Sequence, residues 1–289
     1  MPHAARLREL LAGPAFIAPG VYDSLTALQV EQAGFACAYL SGASVSFTRL
    51  GRPDIGLTTM TEVANTIGNI RERIDIPLIV DGDTGFGNAL NVQRTVKLFE
   101  RMGASGIQLE DQTLPKRCGH LDGKTLVSVG EMVGKIHAAQ DARTNPNTVI
   151  VARTDAIAVI GLDEALDRGA AFIEAGADVL FIESPLDDAQ LARVGETLGR
   201  QIPLLANMVE GGKTPLHSVD ELGALGFQVV IFPGAMVRVL SRAAAGYLDA
   251  LMRDGSTAGI IDRMFNFNEV NDVIGTAAML AIGDKYSDK

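Results

Sequence analysis

Short, mostly apolar runs recur along the chain and alternate with longer segments whose apolar residues fall at helical spacing. The runs are Phe16-Ile17-Ala18-Pro19, Ala36-Cys37-Ala38-Tyr39-Leu40, Leu78-Ile79-Val80, Gly106-Ile107-Gln108-Leu109, Val149-Ile150-Val151-Ala152, Val179-Leu180-Phe181-Ile182, Leu204-Leu205-Ala206 and Val229-Val230-Ile231-Phe232. Runs that are apolar on both faces suit parallel strands covered by helices. Four of the helical segments end in a glycine phrase just before a strand, at Gly34, Gly103, Gly176 and Gly226. A glycine there supplies the left-handed residue that closes a helix. Ile76-Pro77 and Ile202-Pro203 stop two others, since the residue before a proline avoids helical geometry. Eight strand–helix units predict a (β/α)8 barrel. A doubly wound open sheet is the alternative. No Gly-x-Gly-x-x-Gly follows the first strand, which speaks against dinucleotide binding. One barrel domain is expected over 1–289, with 255–289 a helical extension that packs on a partner subunit.

In such a barrel, functional groups stand at the C-terminal ends of the strands. Those ends read Asp23, Ser41-Gly42, Asp81 with Asp83, Glu110-Asp111, Arg153 with Asp155, Glu183, Asn207 and Pro233. Any one of them could be a helix cap or a structural ion pair. A polar group after seven of the eight apolar runs is harder to explain that way. Asp81 and Asp83 are two apart in a glycine-rich turn, so both can face one cation. With Glu110 and Asp54 they form an all-oxygen set, which selects Mg²⁺ or Mn²⁺ over zinc. His3, His137 and His217 are isolated and point to no metal cluster.

Lys116-Arg117-Cys118-Gly119-His120 is the strongest chemical signal. The cysteine sits in a polar loop behind two cations, unlike Cys37, which lies in an apolar run. Adjacent positive charge lowers a thiol pKa from about 8.5, so Cys118 is expected to be a catalytic acid/base thiol.

The rest of the composition narrows the classes. Of 289 residues, 47% are apolar, enough for a large core. No run of about 18 uncharged apolar residues exists, so no membrane span is expected. The first residues carry scattered charges and no long apolar stretch, unlike a secretory signal. Two cysteines make no disulfide framework and suit a reducing cytoplasm. A net charge of −10 argues against a nucleic-acid partner.

Together these stretches resemble the isocitrate lyase/phosphoenolpyruvate mutase superfamily. The resemblance runs over roughly residues 15–275 and rests on six segments: Tyr39-Leu40-Ser41-Gly42, Pro53-Asp54-Ile55-Gly56, residues 81–87, the cysteine loop, Ala152-Arg153-Thr154-Asp155 and residues 207–215. The family implies a barrel that exchanges its last helix with a neighbour, commonly in a tetramer. It implies Mg²⁺ held by Asp81, with Asp54, Asp83 and Glu110 acting through waters. It implies a mobile lid carrying Cys118, with substrate oxygens held by Ser41, Gly42, Ala43, Arg117, Gly119, Glu183, Asn207, Pro233 and Arg238. The implied reaction is retro-aldol cleavage of a 2-hydroxy di- or tricarboxylate to a 2-oxo acid and a carboxylate. Tyr39, assisted by Arg153, would accept the hydroxyl proton. Arg117, His120 and Asn207 would bind the enediolate, and Cys118 would protonate it.

The chain looks like the short members: 2-methylisocitrate lyases, 2-alkylmalate lyases and carboxyphosphonoenolpyruvate phosphorylmutases. Tyr39 and Arg238 match the first group. Phe267, where methylisocitrate lyases carry an arginine, and Val209, where they tend to have threonine, match the others. Pro233 stands where oxaloacetate hydrolases tend to have serine. Phosphorylmutase, oxaloacetate hydrolase or decarboxylase, and a non-catalytic barrel remain the alternatives.

Overall fold

The computed structural model describes residues 3–287. The chain divides after Met236 into two compact units.

The first unit opens with helix α1 (His3–Leu11), then β1 (Phe16–Val21), α2 (Ser24–Gln32), β2 (Ala38–Leu40), α3 (Gly42–Val45) and a π-helical turn (Ser46–Leu50). It continues through α4 (Met60–Arg71), β3 (Leu78–Asp81), α5 (Ala89–Met102), β4 (Gly106–Glu110), α6 (Val129–Ala142) and β5 (Val149–Thr154). Then come α7 (Ile157–Ile160), α8 (Leu162–Glu174), β6 (Val179–Ile182), α9 (Asp188–Leu198), β7 (Leu204–Asn207), α10 (Val219–Ala224) and β8 (Phe227–Phe232). The eight strands are all parallel and close in sequence order, β8 pairing with β1. Every apolar run expected to be a strand is one. Gly34, Gly103, Gly176 and Gly226 all have positive φ, between 88° and 101°.

Helix starts follow local chemistry. Asp23 with Thr26, Thr59 with Glu62, and Ser218 with Glu221 each form reciprocal caps that satisfy otherwise orphaned N–H groups. Asp23 is thus explained by its helix.

Strand side chains alternate between the barrel interior and the helix layer. The interior cluster holds Ala18, Cys37, Tyr39, Ile79, Val149, Val151, Val179, Phe181, Leu205, Val229 and Ile231. Leu7 from α1 joins it, with Leu10 and Leu11 packed alongside. A Cβ on Gly106 would lie 3.1 Å from Leu7 Cδ2, so the glycine makes room for this plug. Asp178 secures the same end, accepting from Arg8 Nη2, Arg143 Nη1 and the Ile150 N–H, each at 2.9 Å. Burial raises the Cys37 thiol pKa to about 12, so this cysteine is packing material.

The second unit contains α11 (Ala235–Asp254, which begins just before the division), a 3₁₀ turn (Ala258–Arg263), α12 (Phe267–Ile274) and α13 (Thr276–Asp284). Met252 is 88% exposed and Phe267 81%, and Leu248, Ile261 and Leu280 are also exposed. Among the described residues no helix is long and apolar enough to cross a membrane.

Leu7→Ala should cost about 2–5 kcal/mol, the usual range for a buried leucine truncation. Denaturant unfolding measures it. A loss below about 1 kcal/mol would show that α1 does not plug the barrel.

Candidate functional site

The site is the next layer of the same alternation. Two residues beyond Tyr39, Ile79, Gln108, Val151, Phe181, Leu205 and Ile231 stand Ser41, Asp81, Glu110, Arg153, Glu183, Asn207 and Pro233. The interior series is apolar below and becomes polar at the C-terminal mouth. Asp111 and Thr154, one residue out of phase, face the helix layer instead. There Asp111 accepts from Thr154 Oγ1 at 2.6 Å and from Arg168 Nη1 of α8 at 3.0 Å. Parity therefore separates Glu110, a site residue, from Asp111, a structural one.

One pole of the mouth is acidic. The Gly42 N–H donates to Asp81 Oδ2 at 3.3 Å, and a Cβ at Gly42 would lie 2.9 Å from that oxygen. Ser41 caps α3 and Ala43 is half-buried beside it. Asp83, at φ 47°, donates its N–H to Asp81 Oδ1 at 3.2 Å. Lys135 of α6 supports this turn, donating to the Thr84 carbonyl at 3.2 Å. Lys116 Nζ lies 2.5 Å from Asp54 Oδ1 and 2.7 Å from Asp83 Oδ1. Burial disfavours that ammonium, yet Asp83, Glu110 and Asp54 hold its pKa well above the usual 10.5. Burial pushes Asp83 up to about 6 against the pull of Lys116, and pushes Glu110 well above the ordinary carboxylate range.

This pole fits a hard cation. Its donors are oxygens, Glu110 Oε1 is buried without a hydrogen-bond partner, and Lys116 already marks a position for positive charge. Among the described residues no three carboxylate, histidine or cysteine side chains form a closed metal cage. Mg²⁺ keeps several waters and needs no such cage.

Sequence reading missed Gln108. Its Oε1 accepts from the Tyr39 hydroxyl at 2.9 Å and its Nε2 donates to Asp81 Oδ1 at 3.2 Å. The available signal was one amide inside an otherwise apolar run. Burial, and then the Asp81 charge, raise the Tyr39 pKa well above 10. Tyr39 is therefore a phenol at neutral pH and not a preformed base.

The other pole is built on Arg153, which caps the barrel interior with its guanidinium 5.1 Å above the Phe181 ring. Its Nε and Nη2 reach Asp155 Oδ2 and Oδ1, both at 3.0 Å. Its Nη1 lies 3.3 Å from Glu110 Oε2, and Nη2 lies 3.3 Å from Glu183 Oε2. Asn207 Nδ2 donates to Glu183 Oε2 at 3.1 Å. His120 Nε2 stands 3.4 Å from Glu183 Oε1, while its Nδ1 accepts the Lys213 N–H at 3.2 Å. That bond puts the imidazole proton on Nε2, facing Glu183. Burial lowers the His120 pKa despite Glu183, so the ring is neutral at pH 7.

The thiol loop runs between the poles. Its ends are joined by the Gln112–Leu126 bridge and its Cys118 N–H donates to the Asp54 carbonyl at 3.1 Å. Gly119 has no room for a side chain: a Cβ would lie 2.5 Å from Arg153 Nη2 and 2.8 Å from Glu183 Cδ. Arg117 points outward, is exposed, and donates to the Asp122 carbonyl at 2.7 Å. The expectation of a lowered thiol pKa does not hold. Burial raises the Cys118 pKa, Asp54 and Glu183 add to it, and Arg153 and the His120 N–H only partly offset them. The two flanking cations are diverted, Lys116 to carboxylates and Arg117 to the surface. A thiol that keeps its proton suits a general acid. Pro233 offers its carbonyl to Ser44 Oγ at 3.0 Å. Arg238 belongs to α11, in the second unit.

Residues 7–252 match the family described as phosphoenolpyruvate phosphomutase. The chain is 47% identical over 288 residues to the 2,3-dimethylmalate lyase of Eubacterium barkeri, covering 99% of each chain. It is 43% identical over 270 residues to the 2-methylisocitrate lyase of Aeropyrum pernix, covering 93% of this chain and 86% of that one. Among solved structures, oxaloacetate acetylhydrolase in complex with 3,3-difluorooxalacetate superposes with a TM-score of 0.93 at 34% identity. That likeness covers 100% of this chain and 98% of the other.

Alkylation of Cys118 by iodoacetamide should rise with pH through a midpoint above that of an unperturbed cysteine, about 8.5, since thiolate is the reactive form and burial raises this thiol. Cys37→Ala removes the second thiol from the measurement. A midpoint at or below about 8 would mean that the cations dominate the thiol.

Proposed function

Since the chain belongs to the phosphoenolpyruvate mutase/isocitrate lyase superfamily, we propose that it is a Mg²⁺-dependent carbon–carbon lyase acting on a 2-alkylmalate or 2-methylisocitrate. The products are a 2-oxo acid such as pyruvate and a second carboxylate. The observation that carries this reading is the docked thiol loop, which is tied to the acidic pole through the Asp54 carbonyl and packed on the Arg153–Glu183 pole through Gly119, with Cys118 between the two contacts.

Mg²⁺, held through Asp81 with Asp54, Asp83 and Glu110, would supply the positive charge that stabilises the substrate's 2-oxygen and adjoining carboxylate as the C2–C3 bond breaks. We assign Tyr39 to the substrate hydroxyl as a hydrogen-bond acceptor, since its own proton is directed to Gln108. The hydroxyl proton would pass to a carboxylate of the acidic pole as the C2–C3 bond breaks. Arg153 balances negative charge at the reacting centre. His120 Nε2–H and Asn207 Nδ2 are donors at the other pole, suited to an enediolate. Cys118 delivers its proton to the carbon. Ser41, Gly42, Ala43, Gly119, Glu183 and Pro233 line the mouth. Arg117, on the outside of the loop, would reach substrate only after the loop shifts.

The exposed apolar side chains of the second unit support a homo-oligomer, most economically a tetramer built by exchange of these helices. In that assembly Phe267 and Arg238 would meet a neighbouring mouth. Both cysteines are free thiols, which fits a reducing cytoplasm. The committed cations favour a dicarboxylate: Lys116, Lys124 and Arg153 are already engaged by protein carboxylates, and an unpaired substrate carboxylate is costly to bury.

A panel of 2,3-dimethylmalate, 2-ethyl-3-methylmalate, 2-methylisocitrate and oxaloacetate, assayed with Mg²⁺ and with EDTA, tests the proposal. Mg²⁺-dependent release of a 2-oxo acid from the alkylmalates is expected. Oxalate release from oxaloacetate alone would instead mark a hydrolase. The ratio of kcat/KM for 2,3-dimethylmalate over 2-methylisocitrate should be at least one, and Phe267→Arg should move it towards the tricarboxylate. A preference for 2-methylisocitrate beyond about a hundredfold, roughly 2.7 kcal/mol, would transfer the third carboxylate to Arg238 or another cation.

Cys118→Ser should lower turnover by on the order of 10² to 10⁴ while pyruvate binding with Mg²⁺ survives. Near-normal turnover would remove the thiol from the chemistry.

A further inference from the structure

Lys124 has no part in the mechanism above, yet it is a buried cation at the mouth. Its ammonium lies 2.8 Å from Asp155 Oδ1 and also donates to the Gly119 carbonyl. Asp155 Oδ1 is the same oxygen that receives Arg153 Nη2 at 3.0 Å. Burial opposes ionisation of Asp155, but Arg153 and then Lys124 hold its carboxyl at about 2. One carboxylate thus ties the arginine of β5 to the carbonyl that follows Cys118.

We propose that Lys124 is a positioning residue: it clamps Gly119 to the Asp155–Arg153 pair and so fixes the height of the Cys118 thiol above the mouth. Three features point this way. The clamp closes within the loop itself, from residue 124 back to residue 119, so it shapes the tip as well as anchoring it. Gly119 packs directly on Arg153 and Glu183 without space for a Cβ, so the absence of a side chain is what lets the loop backbone come this close. The other anchors hold neighbouring residues of the loop, with Gln112 bracketing the Arg117 backbone. Lys116 and the Cys118 N–H bind Asp54, and His120 binds the Lys213 N–H. Without Lys124 the tip keeps those hinges and loses the strut between them. A buried ion pair that merely adds stability would not need the second bond to a loop carbonyl.

The reaction arm of the test rests on the lyase reading, and the loop arm does not. Lys124→Met keeps the length of the side chain and removes its charge and donors. Hydrogen exchange of the Cys118 and Leu121 amides, both bonded in the docked loop, should accelerate at least tenfold. Exchange in β4 and β5 should be unchanged. With the substrate found by the panel, kcat should fall on the order of 10²-fold, as for a misplaced reacting group, with KM changed less than threefold. Lys124→Arg should restore part of both effects. If Lys124→Met proves insoluble, Lys124→Gln, which keeps a donor for the Gly119 carbonyl, carries the same comparison and should show smaller changes of the same sign. Unchanged loop exchange in a folded variant overturns the clamp whatever the enzyme's substrate. So does a kcat loss matched by an equal rise in KM, or full activity in Lys124→Met. Faster loop exchange in a chain that cleaves none of the panel would leave the clamp standing and overturn the lyase.

Discussion

Six buried carboxylates, Asp54, Asp81, Asp83, Glu110, Asp155 and Glu183, gather at the barrel mouth, and three cations, Lys116, Lys124 and Arg153, lie among them. Much of the mouth follows from the surplus of negative charge. Buried like charges cannot all remain ionised without compensation. The protein responds by raising Asp83 and Glu110 and by committing each of these cations to carboxylates. A divalent cation would relieve the remainder, and it would do so where the substrate's own oxygens can share it.

Two of the three cations come from the thiol loop, and this couples the docked position of the loop to the charge balance. Lys116 seats the loop on the acidic pole and Lys124 seats it on the Arg153 pole. Cys118 lies between the two seats, so the electrostatics that compact the mouth also fix the position of the thiol. The same surroundings keep the thiol protonated, because burial, with the carboxylates adding to it, outweighs the His120 N–H and the arginine. In the proposed lyase reaction a proton donor needs that bias more than it needs a reactive thiolate.

The rest of the site is a by-product of strand alternation in a closed barrel. Tyr39, Ile79, Gln108, Val151, Phe181 and Leu205 fill the interior, and the residue two further along each strand reaches the mouth. Packing and chemistry are therefore consecutive layers of one series. The plug of α1 and the oxygen cluster at the mouth close its opposite ends.

The sequence by itself determined the eight strands, their parallel order, the glycine closures of four helices and most of the polar groups at the mouth. Those features are local: apolar runs, helix ends and strand ends are written in neighbouring residues. The apolar, helix-like tail reads from the sequence as an extension from about residue 255; the compact division of the chain falls after Met236. Tertiary structure decided what depends on distant residues. Cys118 reads as a cation-flanked thiol, but Asp54 and Asp83 neutralise Lys116 from other loops of the mouth and Arg117 turns outward. Glu110 and Asp111 look equivalent until parity sends one inward and the other to Arg168. Gln108 and Lys124 carry no motif, because their importance lies in partners 27 to 69 and 31 positions away. The charge of a side chain is fixed by its sequence, but its pKa and its role are fixed by what the fold brings within hydrogen-bonding distance.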